Sequence, residues 1–161
     1  TAPRVLLTGT PIGGDARKII EEIEDAGGVV VVHEACSGVK PLEDLVEENT
    51  GDPLDAIARR YLKLACSCMT PNEGRFKLLE RLIGEYQVDC VIDAILVACH
   101  TYNVESFNVK RLAEKYNLPF LKIETDYSDS DRAQMRVRIE TLLEMVRDSK
   151  IGSSASTEES W

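Results

Sequence analysis

Val29-Val30-Val31-Val32-His33-Glu34-Ala35-Cys36 opens on four β-branched residues in a row and then turns polar. A run with no alternation fits a strand covered on both faces, the kind found in parallel sheets. Three further apolar runs follow the same logic: Arg4 to Gly9, Val88 to Val97 and Leu118 to Ile123. Helical patterns separate them. One carries Ile19, Ile20 and Ile23 on a single stripe and stops at Gly27-Gly28. Another starts at Asp52-Pro53, with Asp52 as cap and Pro53 in the first turn. A third is expected to be capped by Asn72 and to turn Phe76, Leu79 and Ile83 inward. Two more span about Val104 to Tyr116 and Asp131 to Arg147, and a short helix is expected over Leu42 to Glu48. Strands alternating with helices predict an α/β fold: a four-stranded parallel sheet with helices on both faces, a flavodoxin-like doubly wound lobe. Residues 1–148 are expected to form one domain, and residues 149–161 a disordered polar tail.

The chain has 161 residues, with 19 basic and 28 acidic ones and a net charge of −9. So acidic a surface repels a phosphate backbone, which argues against nucleic-acid binding. No apolar stretch reaches the length of a membrane span, and the first residues lack the features of an export signal. The five cysteines, Cys36, Cys66, Cys68, Cys90 and Cys99, are odd in number. Reduced thiols in a cytoplasm are therefore expected, rather than a disulfide framework.

In an open parallel sheet, ligands bind beyond the carboxyl ends of the strands. The loops at that end carry Thr8-Gly9-Thr10, Cys36, Cys99-His100 and Asp126-Tyr127, and Cys66 and Cys68 precede a helix in the second connection. Thiolates near helix N-termini suit iron–sulfur ligation. The spacing matches neither a ferredoxin run nor a zinc ribbon, so by spacing the metal reading stands level with plain packing. Cys90 lies within a strand and reads as a small buried hydrophobe. Cys66 and Cys68, two apart, would point to opposite sides of an extended segment. His33 and His100 are expected in ordinary hydrogen-bonded roles. The Thr10-Pro11-Ile12-Gly13-Gly14 loop lacks the lysine of a phosphate loop.

Several strings, in order, resemble one family. They are Glu34-Ala35-Cys36-Ser37-Gly38, then Asp52-Pro53-Leu54-Asp55-Ala56-Ile57-Ala58-Arg59-Arg60-Tyr61-Leu62, then Cys66-Ser67-Cys68 and Ala98-Cys99-His100. Glu124-Thr125-Asp126-Tyr127-Ser128 follows, with Gln134, Arg136, Arg138 and Glu140. Together they look like the D-component family of 2-hydroxyacyl-CoA dehydratases, to which benzoyl-CoA reductase subunits and double-cubane cluster proteins are similar. The resemblance covers residues 3 to 147.

It implies two similar α/β lobes with a [4Fe-4S] cluster between them, held by cysteines of both. It also implies an acyl-CoA substrate and a separate ATP-hydrolysing activator that delivers one low-potential electron. A ketyl radical then lets hydroxide leave the 2-position. On this chain the implied cluster ligands are Cys99, Cys36, Cys66 and Cys68, and Tyr127, Ser128 and Gln134 would shape the lobe interface or substrate crevice. The chain matches about half of a family subunit, so the cluster, [4Fe-4S] or double cubane, would be completed by another lobe or a sister subunit. The isolated lobe is then expected to be inactive, and the chain is either a fragment of a longer protein or has its other half on another chain. Four loop cysteines, and the lack of Asp-Pro after Cys99, lean towards the double-cubane reductases of small molecules. A metal-free subunit-pairing module and a nucleotide binder at the Thr8–Gly14 loop are the other readings.

Overall fold

The computed structural model describes residues 1–155. Strands β1 (Arg4–Gly9), β2 (Val29–Glu34), β3 (Cys90–Leu96) and β4 (Phe120–Thr125) alternate with helices α1 (Lys18–Asp25), α2 (Pro53–Leu62), α3 (Glu73–Glu85), α4 (His100–Lys115) and α5 (Arg132–Ala155). The sheet order is β2-β1-β3-β4 and every pairing is parallel. This is the flavodoxin-like strand order, with its topological switch between β1 and β3.

Alternation along the strands explains why both faces are covered. Val5, Leu7, Ile92, Ala94 and Ile123 meet Ile19 and Ile23 of α1 and Met135, Ile139, Leu142 and Leu143 of α5. On the other face Leu6, Val32 and Val91 meet Leu79, Leu82 and Ile83 of α3 and Val109, Leu112 and Ala113 of α4. Gly9, the last residue of β1, adopts a φ of +116° and lies so close to β3 that a Cβ would sit 2.0 Å from the Ala94 carbonyl oxygen. Only glycine fits there.

Asp52 caps α2 as expected, accepting hydrogen bonds from the N–H groups of Leu54 (3.0 Å) and Asp55 (3.1 Å). Asp52→Ala should cost about 1 kcal/mol, read as a lowered urea midpoint with an unchanged slope. Asn72 departs from its expected part. It precedes α3 but makes no side-chain cap; its amide donates instead to Glu105 of α4.

Three expected boundaries shift, and the first is the start of α4, which lies at His100 rather than near Val104. Residues 42–48 form no helix, only a three-residue turn at Lys40–Leu42, because Leu42 and Leu45 face solvent and find no core to pack on. The last helix continues past Arg147 to Ala155, so residues 149–155 belong to α5 rather than to a disordered tail. Lys150 reaches Asp89 at 2.6 Å, an anchor that ties this turn to the start of β3. The rest of the expected tail, 156–161, lies outside the described residues. No helix among the described residues is long and apolar enough to cross a membrane.

Candidate functional site

The sheet brings three cysteine loops to the carboxyl end of its strands, beside the switch between β1 and β3. Cys36 follows β2, Cys99 immediately precedes α4, and Cys66 and Cys68 lie between α2 and α3. Side-chain bonds join these loops. The Ser67 hydroxyl donates to Thr101 Oγ1 (3.2 Å), and Cys99 Sγ lies 3.8 Å from that same Thr101 oxygen. The N–H of Ile12, after β1, donates to Ser37 Oγ beside Cys36 (3.1 Å). Gly38 makes the Cys36 turn possible, since a Cβ there would stand 2.0 Å from the His33 carbonyl oxygen.

Residues 66–69 turn rather than extend, with the Met69 N–H donating to the Cys66 carbonyl at 3.0 Å. The expectation that the segment is extended therefore fails, and each thiol acts on the pKa of the other. The charge of Cys36 acts on Cys68, and that of Cys66 on Cys99.

The thiols are not equivalent. The Cys68 backbone N–H holds the Cys66 thiol below its ordinary value, and the neighbouring Lys40 ammonium adds to this. Cys68, sharing a proton with Cys66, is pushed up. Burial alone would raise Cys99, but the Tyr102 N–H and the hydroxyls of Thr10 and Thr101 outweigh it, and the thiol lies low. Cys99 also occupies the position before the first turn of α4, where free N–H groups favour an anion. The preceding Ala98 adopts a φ of +67°, which is uncommon for a residue with a side chain and sets the angle at which the chain enters α4. Cys90 is fully buried in β3, and burial pushes its thiol up to about 12.

These donors fit an iron–sulfur cluster in kind: two loop thiols sit low, and all four lie at one end of the sheet. No group of three His, Cys, Asp or Glu side chains among the described residues is placed to hold a metal ion.

Beneath the loops lies a layer that reading the sequence missed. On the α3–α4 face, the sheet's carboxyl half presents Thr8, Glu34 and Asp93 instead of apolar residues, all three buried. Fully buried Arg75 of α3 donates to Glu34 (3.2 Å), Thr8 (2.9 Å) and Glu105, and its guanidinium stacks 4.9 Å from the centroid of the Tyr102 ring. Lys40, also buried, lies 2.6 Å from Glu34. The signals were present: Arg75 stands one turn before Leu79 on the inward stripe of α3, and Asp93 interrupts an apolar strand.

Asp93 is held above the usual carboxylate range by burial, despite the Ser106 hydroxyl and the Arg75 guanidinium. Its Oδ2 has no hydrogen-bond partner among the described residues. A raised carboxyl pKa means that the folded state binds the proton more tightly than the unfolded one. Stability from this group is therefore present at low pH and is lost as pH rises from the unfolded value through the folded one. Asp93→Asn, which mimics the protonated form, should match the native chain in thermal midpoint near pH 4 and exceed it at pH 8. A gap that closes as pH rises would overturn this assignment.

Tyr127 and Ser128 sit exposed in the loop after β4, and Gln134 is exposed on α5. That loop is fixed from below: buried Lys18 of α1 binds the Ser128 carbonyl and Asp131, and Thr125 donates to Asp131 at 2.7 Å. His33 differs from expectation, since its Nε2 is buried with no partner among the described residues, and burial lowers its pKa.

The family model for the 2-hydroxyglutaryl-CoA dehydratase D-component matches residues 1–146. The "Putative dehydratase subunit YjiM" of Escherichia coli (strain K12) is 50% identical over 145 residues, covering 89% of this chain and 38% of that protein. A benzoyl-CoA reductase subunit of Thauera aromatica is 27% identical over 160 residues, covering 96% of this chain and 36% of that protein. The chain thus spans less than two fifths of the length of either curated relative.

Proposed function

Because the chain belongs to the 2-hydroxyglutaryl-CoA dehydratase D-component family, we propose that it is one lobe of an iron–sulfur dehydratase or reductase component. Cys99, Cys36 and the Cys66–Cys68 turn supply thiolates to a [4Fe-4S] or double-cubane cluster, and another lobe or a sister subunit supplies the remaining ligands. When bound, such a cluster supplies one-electron transfer at low potential. Partners in this reading are an ATP-hydrolysing activator protein and an acyl-CoA or small-molecule substrate. The setting is the cytoplasm of an anaerobic cell.

The observation that carries this reading is the gathering of three cysteine loops at one end of the sheet, with the Cys66 and Cys99 thiols both held low. The chain's own residues do the rest. Backbone N–H groups of Cys68 and Tyr102 keep negative charge on sulfur. The Lys40 ammonium lies near enough to favour the Cys66 thiolate. Tyr127, Ser128 and Gln134 would line the lobe interface or the substrate crevice.

Anaerobic reconstitution with iron and sulfide tests the reading, performed on this chain alone and together with the other lobe of a family subunit, produced separately. Iron retained per chain and absorbance near 400 nm should rise well above the level of either protein alone. Absence of iron in the mixture would remove the cluster assignment and favour the metal-free pairing module.

A further inference from the structure

Tyr102, in the first turn of α4, is tied to all three cysteine loops. Its N–H donates to the Cys99 thiol. The hydroxyl of its neighbour Thr101 accepts from Ser67, between Cys66 and Cys68, at 3.2 Å. Its ring lies 5.7 Å from the ammonium of Lys40, four residues beyond Cys36. The Arg75 guanidinium stands 4.9 Å from the same ring centroid, and Tyr102 is only 5% exposed. A ring attracted by two cations has little freedom to swing its hydroxyl elsewhere.

That hydroxyl is buried and has no hydrogen-bond partner among the described residues. Taking it out of water unpaired costs free energy, and phenylalanine would fill the same space without the cost. An orphan of this kind is accounted for by a bound group or by a part in redox chemistry. The buried layer does not take the proton it offers. Glu34 already holds Thr8, Arg75 and Lys40, and both cations are themselves donors. Burial, first of all, raises the Tyr102 hydroxyl, and among the charges that act on it are those of Cys36 and Cys66. An unused donor thus stands by the thiols of two loops, on a residue whose backbone binds the thiol of a third.

We propose, resting on the cluster reading above, that the Tyr102 hydroxyl donates a hydrogen bond to sulfur of the bound cluster and so makes that cluster easier to reduce. Reduction adds one negative charge, so a donor to sulfur stabilises the reduced form more than the oxidised one. The proton stays on the tyrosine oxygen throughout.

The test is Tyr102→Phe, which keeps the ring between Arg75 and Lys40 and removes one oxygen. The first readout is the thermal midpoint of the iron-free 161-residue chain. It should equal or exceed the native value, because an unpaired buried hydroxyl has gone. The second is the midpoint potential after anaerobic reconstitution with iron, sulfide and the separately produced other lobe, read by redox titration of the cluster absorbance. It should shift to more negative values. Lower iron retention with an intact iron-free midpoint is the stronger form of the same result, since only the loaded site then feels the missing oxygen. Tyr116→Phe, at the far end of the same helix, is the control and should leave the potential at its native value. Three results overturn the proposal: a clearly lowered midpoint of iron-free Tyr102→Phe, native potential and iron content in that variant, or an equal shift with Tyr116→Phe. A native mixture that takes up no iron overturns it as well, by removing the cluster reading beneath it. Native uptake with an unchanged potential in Tyr102→Phe removes the role of the hydroxyl alone.

Discussion

Arg75→Met should cost about 3–5 kcal/mol of folding stability, one of the largest effects of any single polar substitution in this chain. Methionine matches arginine in length but takes the only guanidinium from a layer in which Glu34 is fully buried and Glu105 nearly so. Glu34 keeps Lys40 at 2.6 Å, but Glu105 is left with the Asn72 amide alone among the contacts described. A carboxylate in that position must either stay charged without its partner or take up a proton, and both destabilise the fold. At this chain length each kcal/mol lowers the thermal midpoint by roughly 2–4 °C. The double variant Arg75→Met/Glu105→Gln should recover part of the loss, because it removes the abandoned charge as well. Arg132→Met is the comparison. Arg132 meets Glu21, Glu22 and Asp129 but is half-exposed, so the midpoint should move little. Equal shifts for Arg75→Met and Arg132→Met would show that the buried network does not hold the α3–α4 face together.

That network also shows where the sequence stops being legible. The four strands announce themselves because β-branched runs covered on both faces leave a local signature, and Val29 to Val32 is the clearest case. The β2-β1-β3-β4 order follows from right-handed crossovers between such runs. The polar layer leaves no local signature. Glu34, Arg75, Asp93 and Glu105 come from four elements, and each alone reads as a strand end, a helix charge or an oddity. Only their convergence makes them one group. Helix α2 shows a different limit: Leu54, Ile57 and Tyr61 have the spacing of a core face yet are exposed, and no rule of periodicity says what surface covers such a face. The cysteines fall between these cases. The sheet rule placed their loops at one end, while the turn at 66–69 that brings Cys66 and Cys68 together depends on a backbone bond that spacing does not reveal.

Cys99→Ser should abolish iron retention by the reconstituted complex while leaving the fold as it is. Serine has nearly the size of cysteine, the residue is only partly buried, and a hydroxyl at this position can still accept from the Tyr102 N–H. The thermal midpoint of the iron-free chain should therefore be unchanged, which separates lost ligation from lost structure. Cys99 is chosen because the first-turn Tyr102 N–H of α4, with the Thr10 and Thr101 hydroxyls, holds its thiol low against burial. Cys66→Ser should follow in severity. Cys68→Ser is compared directly with it, because the two thiols titrate as a pair and the pair does not assign the ligand. Cys36 carries no such distinction and is ranked by the measurement itself. Cys90→Ala is the negative control. Its thiol is sealed in β3 and pushed up to about 12, so iron content should be untouched even though the small cavity costs some stability. If Cys99→Ser kept full iron while Cys36→Ser and Cys66→Ser lost it, the ligand set would lie on the β2 side of the crevice. The low Cys99 thiol would then be a consequence of its place at the start of a helix and nothing more.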